Sequence, residues 1–191
     1  MSTTRADAER NRVRILAAAR ELIARDGPAV RMDAIAAAAG LAVGTLYRHF
    51  PTKDALVTAV VEDSVAAIAD LAEGARSRLG EGVEPGTVLD DLVRAVAARH
   101  TEDRALKAAA ASLGADVHPD LAGLPAQSPA ARALAAVQHV LDAAREAGAV
   151  RADATVADLL VLLGGLPDAD APQRARERYL DLVLAGLHAH A

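Results

Sequence analysis

Between Gly40 and Lys53 the chain reads GLAVGTLYRHFPTK, and this segment holds its densest set of side chains able to do chemistry. Thr45, Tyr47, Arg48 and His49 fall on one side of a short helix, while Leu46 and Phe50 anchor the other. Arg48 is the only residue of that helix able to form a bidentate pair with a guanine edge. Thr45, Tyr47, His49 and the following Lys53 suit phosphate, a contact that fixes register without reading sequence. Val43 or Ala42 can touch a thymine methyl. The competing reading of the two aromatics, that they merely fill a core, suits Phe50 better than Tyr47.

A helix with that task must be held at a fixed angle. Gly40 can take the positive φ that reverses the chain. Ala36 is small where two helices must approach, and Leu46 can plug into the helix that precedes the motif. Pro51 ends the helix. With RMDAIAAAA upstream, residues 31 to 50 form a helix-turn-helix able to lay its second helix in the major groove of DNA. The Ala36, Gly40 and Leu46 spacing is weak alone. Joined by Ile35, Leu41, Phe50 and Lys53, it is far more specific.

The charge distribution agrees. The chain of 191 residues carries a net charge of −5, which by itself argues against nucleic acid. Residues 1–53, however, hold nine Arg or Lys against five Asp or Glu, a net +4, and residues 54–191 hold twelve against twenty-one, a net −9. A basic head on an acidic body suits a protein whose head alone meets phosphate. The first-helix arginines, such as Arg10 and Arg14, read equally well as a solvated face or as phosphate contacts.

With 52% hydrophobic residues but only 2% aromatics, the core must be built from Ala, Leu, Val and Ile, a composition that predicts an all-α fold. Helices are expected over about residues 7–26, 32–39 and 43–50, then from a Thr52 cap to near 79. Two more follow over 88–100 and from a Thr101 cap to near 113, with 80–86 and 114–128 as loops. Ser128 and Pro129 open a seventh that Gly148 closes; Asp153 or Thr155 caps an eighth that ends at Gly164-Gly165; the ninth runs from about Pro172 to Ala189. No cysteine is present, so disulfides, thiolate zinc sites and cysteine nucleophiles are excluded. The polar N-terminus lacks a signal-peptide core and no apolar run is long enough for a membrane helix, so a cytoplasmic, nucleoid-associated protein is expected.

At these residues the chain resembles the TetR family of one-component transcriptional regulators. Ile35-Ala36, Ala39-Gly40-Leu41, Gly44-Thr45-Leu46-Tyr47, His49-Phe50, Lys53 and Leu56 carry the resemblance, which covers about residues 8 to 60. It implies a DNA-binding domain over 1–54 and an effector-binding and dimerisation domain over 55–191. By the same resemblance Val43, Gly44, Thr45, Tyr47, Arg48 and His49 match recognition-helix contacts and Lys53 a phosphate contact. Arg31 stands where the family often has a capping Ser or Thr, and arginine can still reach a phosphate there. The implied partners are a double-stranded operator, a small molecule that loosens DNA binding, and a second copy of the chain.

The rest of the chain is less explicit. An effector cavity should be apolar, lined from Val65, Leu92, Val96 and Leu141, with His100, Arg104 and His118 as polar candidates whose alternative is a structural role. The last two helices carry stripes that fit a dimer seam: Leu159, Leu160 and Leu163, then Tyr179, Leu180, Val183 and Leu187. The alternative is that these stripes only finish the monomer core. As an antiparallel pair from each subunit they would make a four-helix bundle and present two recognition helices to a palindrome. His188 and His190 lie on different helix faces without a third ligand, so no metal and no cofactor is expected. Asp90-Asp91 and Glu102-Asp103 are acids of the kind that cover helix surfaces, and no catalytic constellation stands out. An all-α small-molecule-binding protein or enzyme without DNA binding is the competing class.

Overall fold

A computed structural model describes residues 2–112, 125–167 and 171–189, with side chains for all of these except 2–4, Pro28 and 100–112. Among the described residues the fold is all-α, with eight α-helices: α1 (Ser2–Asp26), α2 (Met32–Ala38), α3 (Val43–His49), α4 (Lys53–Gly80), α5 (Pro85–Ser112), α6 (Pro129–Glu146), α7 (Val156–Gly164) and α8 (Gln173–Leu187). A 3-10 turn at Gly27–Ala29 separates α1 from α2.

The helix starts follow local hydrogen-bond chemistry. Thr52 Oγ1 accepts the Ala55 amide at 3.1 Å and caps α4, and Ser128 Oγ accepts the Ala131 amide at 3.2 Å and caps α6. Of the two candidates for α7, Thr155 is the cap: it forms a reciprocal capping box with Asp158, at 3.2 and 2.8 Å. Asp153 instead forms a two-point pair with Arg151. Gly148 ends the α6 region with φ +67°.

Two expectations need correction. The fifth and sixth helices are one: α5 runs through Thr101 without a break, because no Gly or Pro occurs between Gly86 and Ser112 to stop it. Its start also lies three residues earlier, since Glu84 accepts the Gly86 and Thr87 amides at 2.9 and 2.6 Å and Pro85 fits the first turn. Those two amides hold the Glu84 carboxyl below its ordinary value. His118 and most of the stretch 114–128 lie outside the described residues.

The chain divides into two compact units. One holds residues up to Ser64 together with the segment from Asp103, the other Val65–Glu102 together with the C-terminal part from Asp120. The expected functional boundary near residue 54 therefore falls inside α4, ten residues before this division. In the first unit Ile15, Ala19, Ile23, Ile35, Leu46, Phe50, Leu56 and Val60 form one buried cluster. In the second, Val88, Leu89, Leu92, Val140, Leu141, Leu159, Leu184 and Leu187 form another. Each aliphatic side chain so buried contributes roughly 1.5–3 kcal/mol. An isolated antiparallel bridge joins Val150 to His188, and the His188 ring lies 3.1 Å from the Asp90 carboxylate, fixing the end of α8 within the second unit. No helix among the described residues is long and apolar enough to cross a membrane.

Candidate nucleic-acid interface

The turn before α3 is built by the backbone. Gly40 takes φ +65°, its amide reaches the Ala37 carbonyl at 3.0 Å, and the Leu41 amide reaches that of Ala36 at 2.9 Å. This crossed pair is the Schellman ending of a helix, with Leu41 packed on the core as the accompanying apolar contact. α3 itself has no side-chain cap, and its one buried residue is Leu46. A seven-residue helix is too short to persist by itself; it holds its place through Leu46 and through the buried Phe50 that follows it.

Two arginines of α1 grip the two ends of this element. Arg14 Nη2 donates to the Gly40 carbonyl at 3.3 Å, at the turn. The Arg12 guanidinium lies 5.1 Å from the centroid of the Phe50 ring, just past the end of α3, in cation-π range. The positive φ is what favours glycine at position 40; a Cβ there would come within 2.6 Å of the Arg14 guanidinium and push that flexible end off the turn. Arg10 pairs with Asp7, and Arg20 with Asp63 and Ser64. Arg12, Arg14 and Arg20 thus have intramolecular tasks that spacing does not reveal, because their partners lie far along the chain, whereas Arg10 pairs within its own helix.

What α3 leaves outward is a stripe of Val43 (43% exposed), Gly44, Tyr47 (48% exposed) and Arg48. Thr45 and His49 flank it half-buried, His49 tilted against the Phe50 ring at 6.3 Å, and Lys53 is half-buried at the start of α4. Of the predicted contact residues, Val43, Gly44, Tyr47 and Arg48 thus share the outward face of α3, with Thr45 and His49 at its margins. The Arg48 guanidinium lies folded along its own helix, donating to the Gly44 carbonyl at 3.2 Å and to Thr45 Oγ1 at 3.3 Å. Both bonds are long and exposed, and an incoming base edge can replace them.

Arg31 precedes α2 in extended conformation and offers no side-chain cap, as expected of arginine at this position. The capping task passes to Asp33, whose Oδ1 accepts the Ala34 amide at 2.9 Å. The same carboxylate takes both arms of Arg31, at 3.1 and 2.8 Å. That pair holds the Asp33 carboxyl below its ordinary value and raises Arg31, to which Tyr47 adds a smaller effect of the same sign. The sequence signal for Asp33 is an acid two residues after a basic cap position, which contact chemistry alone does not mark.

In the second unit, Leu92, Val96 and Leu141 are buried in the core cluster, and Val65 is half-buried. The side chains of His100 and Arg104 fall outside the described ones. An open groove of about 670 Å³ is lined by Asp158, Val161, Leu162, Tyr179, Leu182 and Val183, among others. A smaller one, of about 320 Å³, is lined by Arg94, Leu166, Gln173, Arg176 and Leu180, among others. None of Val65, Leu92, Val96 and Leu141 lines either. Of the residues expected at a dimer seam, Leu159 and Leu187 are buried in the unit's own core. Leu163, Tyr179, Leu180 and Val183 are half-buried, and Leu160 is exposed. Val161 (75% exposed) and Leu182 (57% exposed) are the most outward apolar side chains there, and periodicity had not marked them. Tyr179 donates to the Leu162 carbonyl at 2.7 Å across a gap that a Cβ on Gly165 would fill. Among the described residues no His, Cys, Asp and Glu cluster could hold a metal.

Comparison with known proteins covers both parts of the chain. Residues 15–60 match the bacterial regulatory proteins of the tetR family, and residues 84–189 match the C-terminal domain of SbtR-like transcriptional regulators. The crystal structure of a TetR transcription regulatory protein from Mycobacterium vanbaalenii is 38% identical, with 97% of this chain and 99% of that one covered and a TM-score of 0.75. A TetR transcriptional regulator from Streptomyces coelicolor is 30% identical over 94% of this chain and 99% of its own, with a TM-score of 0.71. The transcriptional regulator UidR of Escherichia coli K12 is 37% identical over 75 residues, 38% of this chain and 38% of that protein. The match therefore spans well under half the length of that curated relative.

Proposed function

The chain belongs to the TetR family of transcriptional regulators, and from that premise we propose that it is a homodimeric repressor, released from a palindromic operator by a small-molecule ligand. Residues 1–54 bind DNA and 55–191 bind the effector and the second subunit. The observation that carries the DNA reading is the outward stripe Val43, Gly44, Tyr47 and Arg48 on a short helix fixed at both ends. Arg48 reads a guanine; Arg31, Thr45, Tyr47, His49 and Lys53 hold phosphates. The family is one of transcription regulators, not of enzymes.

Dimerisation is supported by the apolar side chains that α7 and α8 leave outward, Leu160, Val161 and Leu182, beside an open groove. A two-fold partner would present the recognition helices roughly 34–36 Å apart, one turn of the duplex. An effector seated on Val65, Leu92, Val96 and Leu141, with His100 and His118 as polar contacts, has to open packing that is closed among the described residues. A coupling of about 1–3 kcal/mol suffices for a response.

Binding to DNA from beside the protein's own gene, followed by mobility shift across a salt series, tests the reading. Tight binding that falls steeply with salt is expected. Absence of binding to any duplex at low salt would reject it in favour of an all-α small-molecule carrier.

A further inference from the structure

Arg31 is the cation that the DNA reading places against a phosphate at the start of α2, and in the free protein its guanidinium already has an anion. Two arms meet two carboxylate oxygens of Asp33, at 3.1 and 2.8 Å, the same fork-to-fork geometry by which arginine takes a phosphate. The side chains are 80% and 55% exposed, so the pair stands in water on the outer surface. Backbone geometry holds it together. Arg31 is extended, with φ −89° and ψ 147°, and Asp33 sits in the first turn of α2 with Oδ1 also accepting the Ala34 amide at 2.9 Å. The carboxylate cannot turn from Arg31 without giving up part of the cap that Arg31 does not provide. Arg31 immediately precedes α2, the first helix of the helix-turn-helix whose second helix, α3, carries the outward stripe with Tyr47.

We propose that Asp33 is an internal phosphate mimic that sets the DNA affinity of the head by occupying Arg31. The inference rests on the reading of residues 31–53 as the DNA surface. A DNA strand must displace the carboxylate to engage Arg31, and the displaced carboxylate then stands beside the phosphate. Arbitrary DNA, bound through phosphates alone, bears this penalty on its whole affinity. An operator offsets it through base contacts such as that of Arg48. The displacement is the same for both, so Asp33 lowers both affinities by one factor and leaves their ratio unchanged.

The test is a double-mutant cycle on the full chain: wild type, Asp33→Asn, Arg31→Ala and the double variant, titrated with a random-sequence duplex across a salt series. Asparagine keeps an oxygen for the Ala34 amide, and Asp33→Ser offers a second route that keeps a neutral cap. Thermal melting verifies that each variant folds. Asp33→Asn and Asp33→Ser should each tighten binding roughly two- to fivefold, with the salt slope little changed because Arg31 meets its phosphate in wild type and variants alike. In the Arg31→Ala background that gain should vanish. An equal gain in both backgrounds would mean that the carboxylate merely repels DNA, and would overturn the proposal; so would no gain at all. If wild type binds and Arg31→Ala weakens it while Asp33→Asn changes nothing, the proposal fails and the DNA reading stands. If wild type binds no duplex at low salt, both fail.

Discussion

The head and the second unit bury their cores by the same means and leave opposite surfaces behind. In the head, the outward part of α3 sets Val43 and Gly44 beside Tyr47 and Arg48, and each arginine described around it is engaged: Arg12 on a ring, Arg14 on a carbonyl, Arg31 on a carboxylate, Arg48 on its own helix. In the second unit α7 and α8 leave Leu160, Val161 and Leu182 exposed. A surface whose groups are satisfied internally must trade bonds to bind, so its affinity is tuned by what it gives up. An apolar surface left outward gives up only water, and its affinity follows area. The first arrangement suits reversible recognition of a polyanion; the second suits a lasting partner.

The largest effect is expected at Phe50. Phe50→Ala empties a buried site and removes the seat of Arg12, a loss of about 3–5 kcal/mol; chemical denaturation should show it, and DNA binding should fall with it. Val161→Glu comes next. Its side chain is outward, so the fold should survive. The proposed dimer should dissociate in sedimentation, and operator affinity should drop by about a hundredfold or more as two linked heads become independent; an unchanged dimer would place the seam elsewhere. Arg48→Ala should cost about 1–3 kcal/mol at one base pair and relax preference there, while Lys53→Ala should weaken all sequences alike and reduce the salt slope by about one. Base-selective loss at Lys53 would undo that assignment. The smallest effect belongs to the α7 capping box. Hydrogen bonds from Thr155 hold the Asp158 carboxyl below its ordinary value of 3.8. Its contribution to stability is therefore full above the unfolded value and disappears as pH falls through the lower, folded one. Asp158→Asn should flatten the acid limb of a melting-temperature profile in that window.

What the sequence makes legible follows the range of the interaction. The caps at Thr52 and Ser128 and the positive φ of Gly40 depend on neighbours within a few residues and are where the spacing puts them, while spacing leaves the α7 cap between Asp153 and Thr155. Thr101 has the right chemistry for a cap but no helix breaker before it, so α5 runs on. Arg12 and Arg14 look like solvated charges because nothing local announces Phe50 or the Gly40 carbonyl as partners. The stripes of α7 and α8 show which residues are apolar, yet one periodicity serves an inner and an outer face alike. Leu159 turns in and Val161 turns out, a distinction set by packing rather than by spacing.

The bond from Arg14 to Gly40 joins two positions 26 residues apart, and its consequence is epistasis. Any side chain at 40 strains the backbone and displaces the flexible end of Arg14, and only the second effect depends on what stands at 14. Shortening Arg14 removes that second effect together with the bond to the turn. Gly40→Ala should therefore do less harm on an Arg14→Ala background than on the wild type.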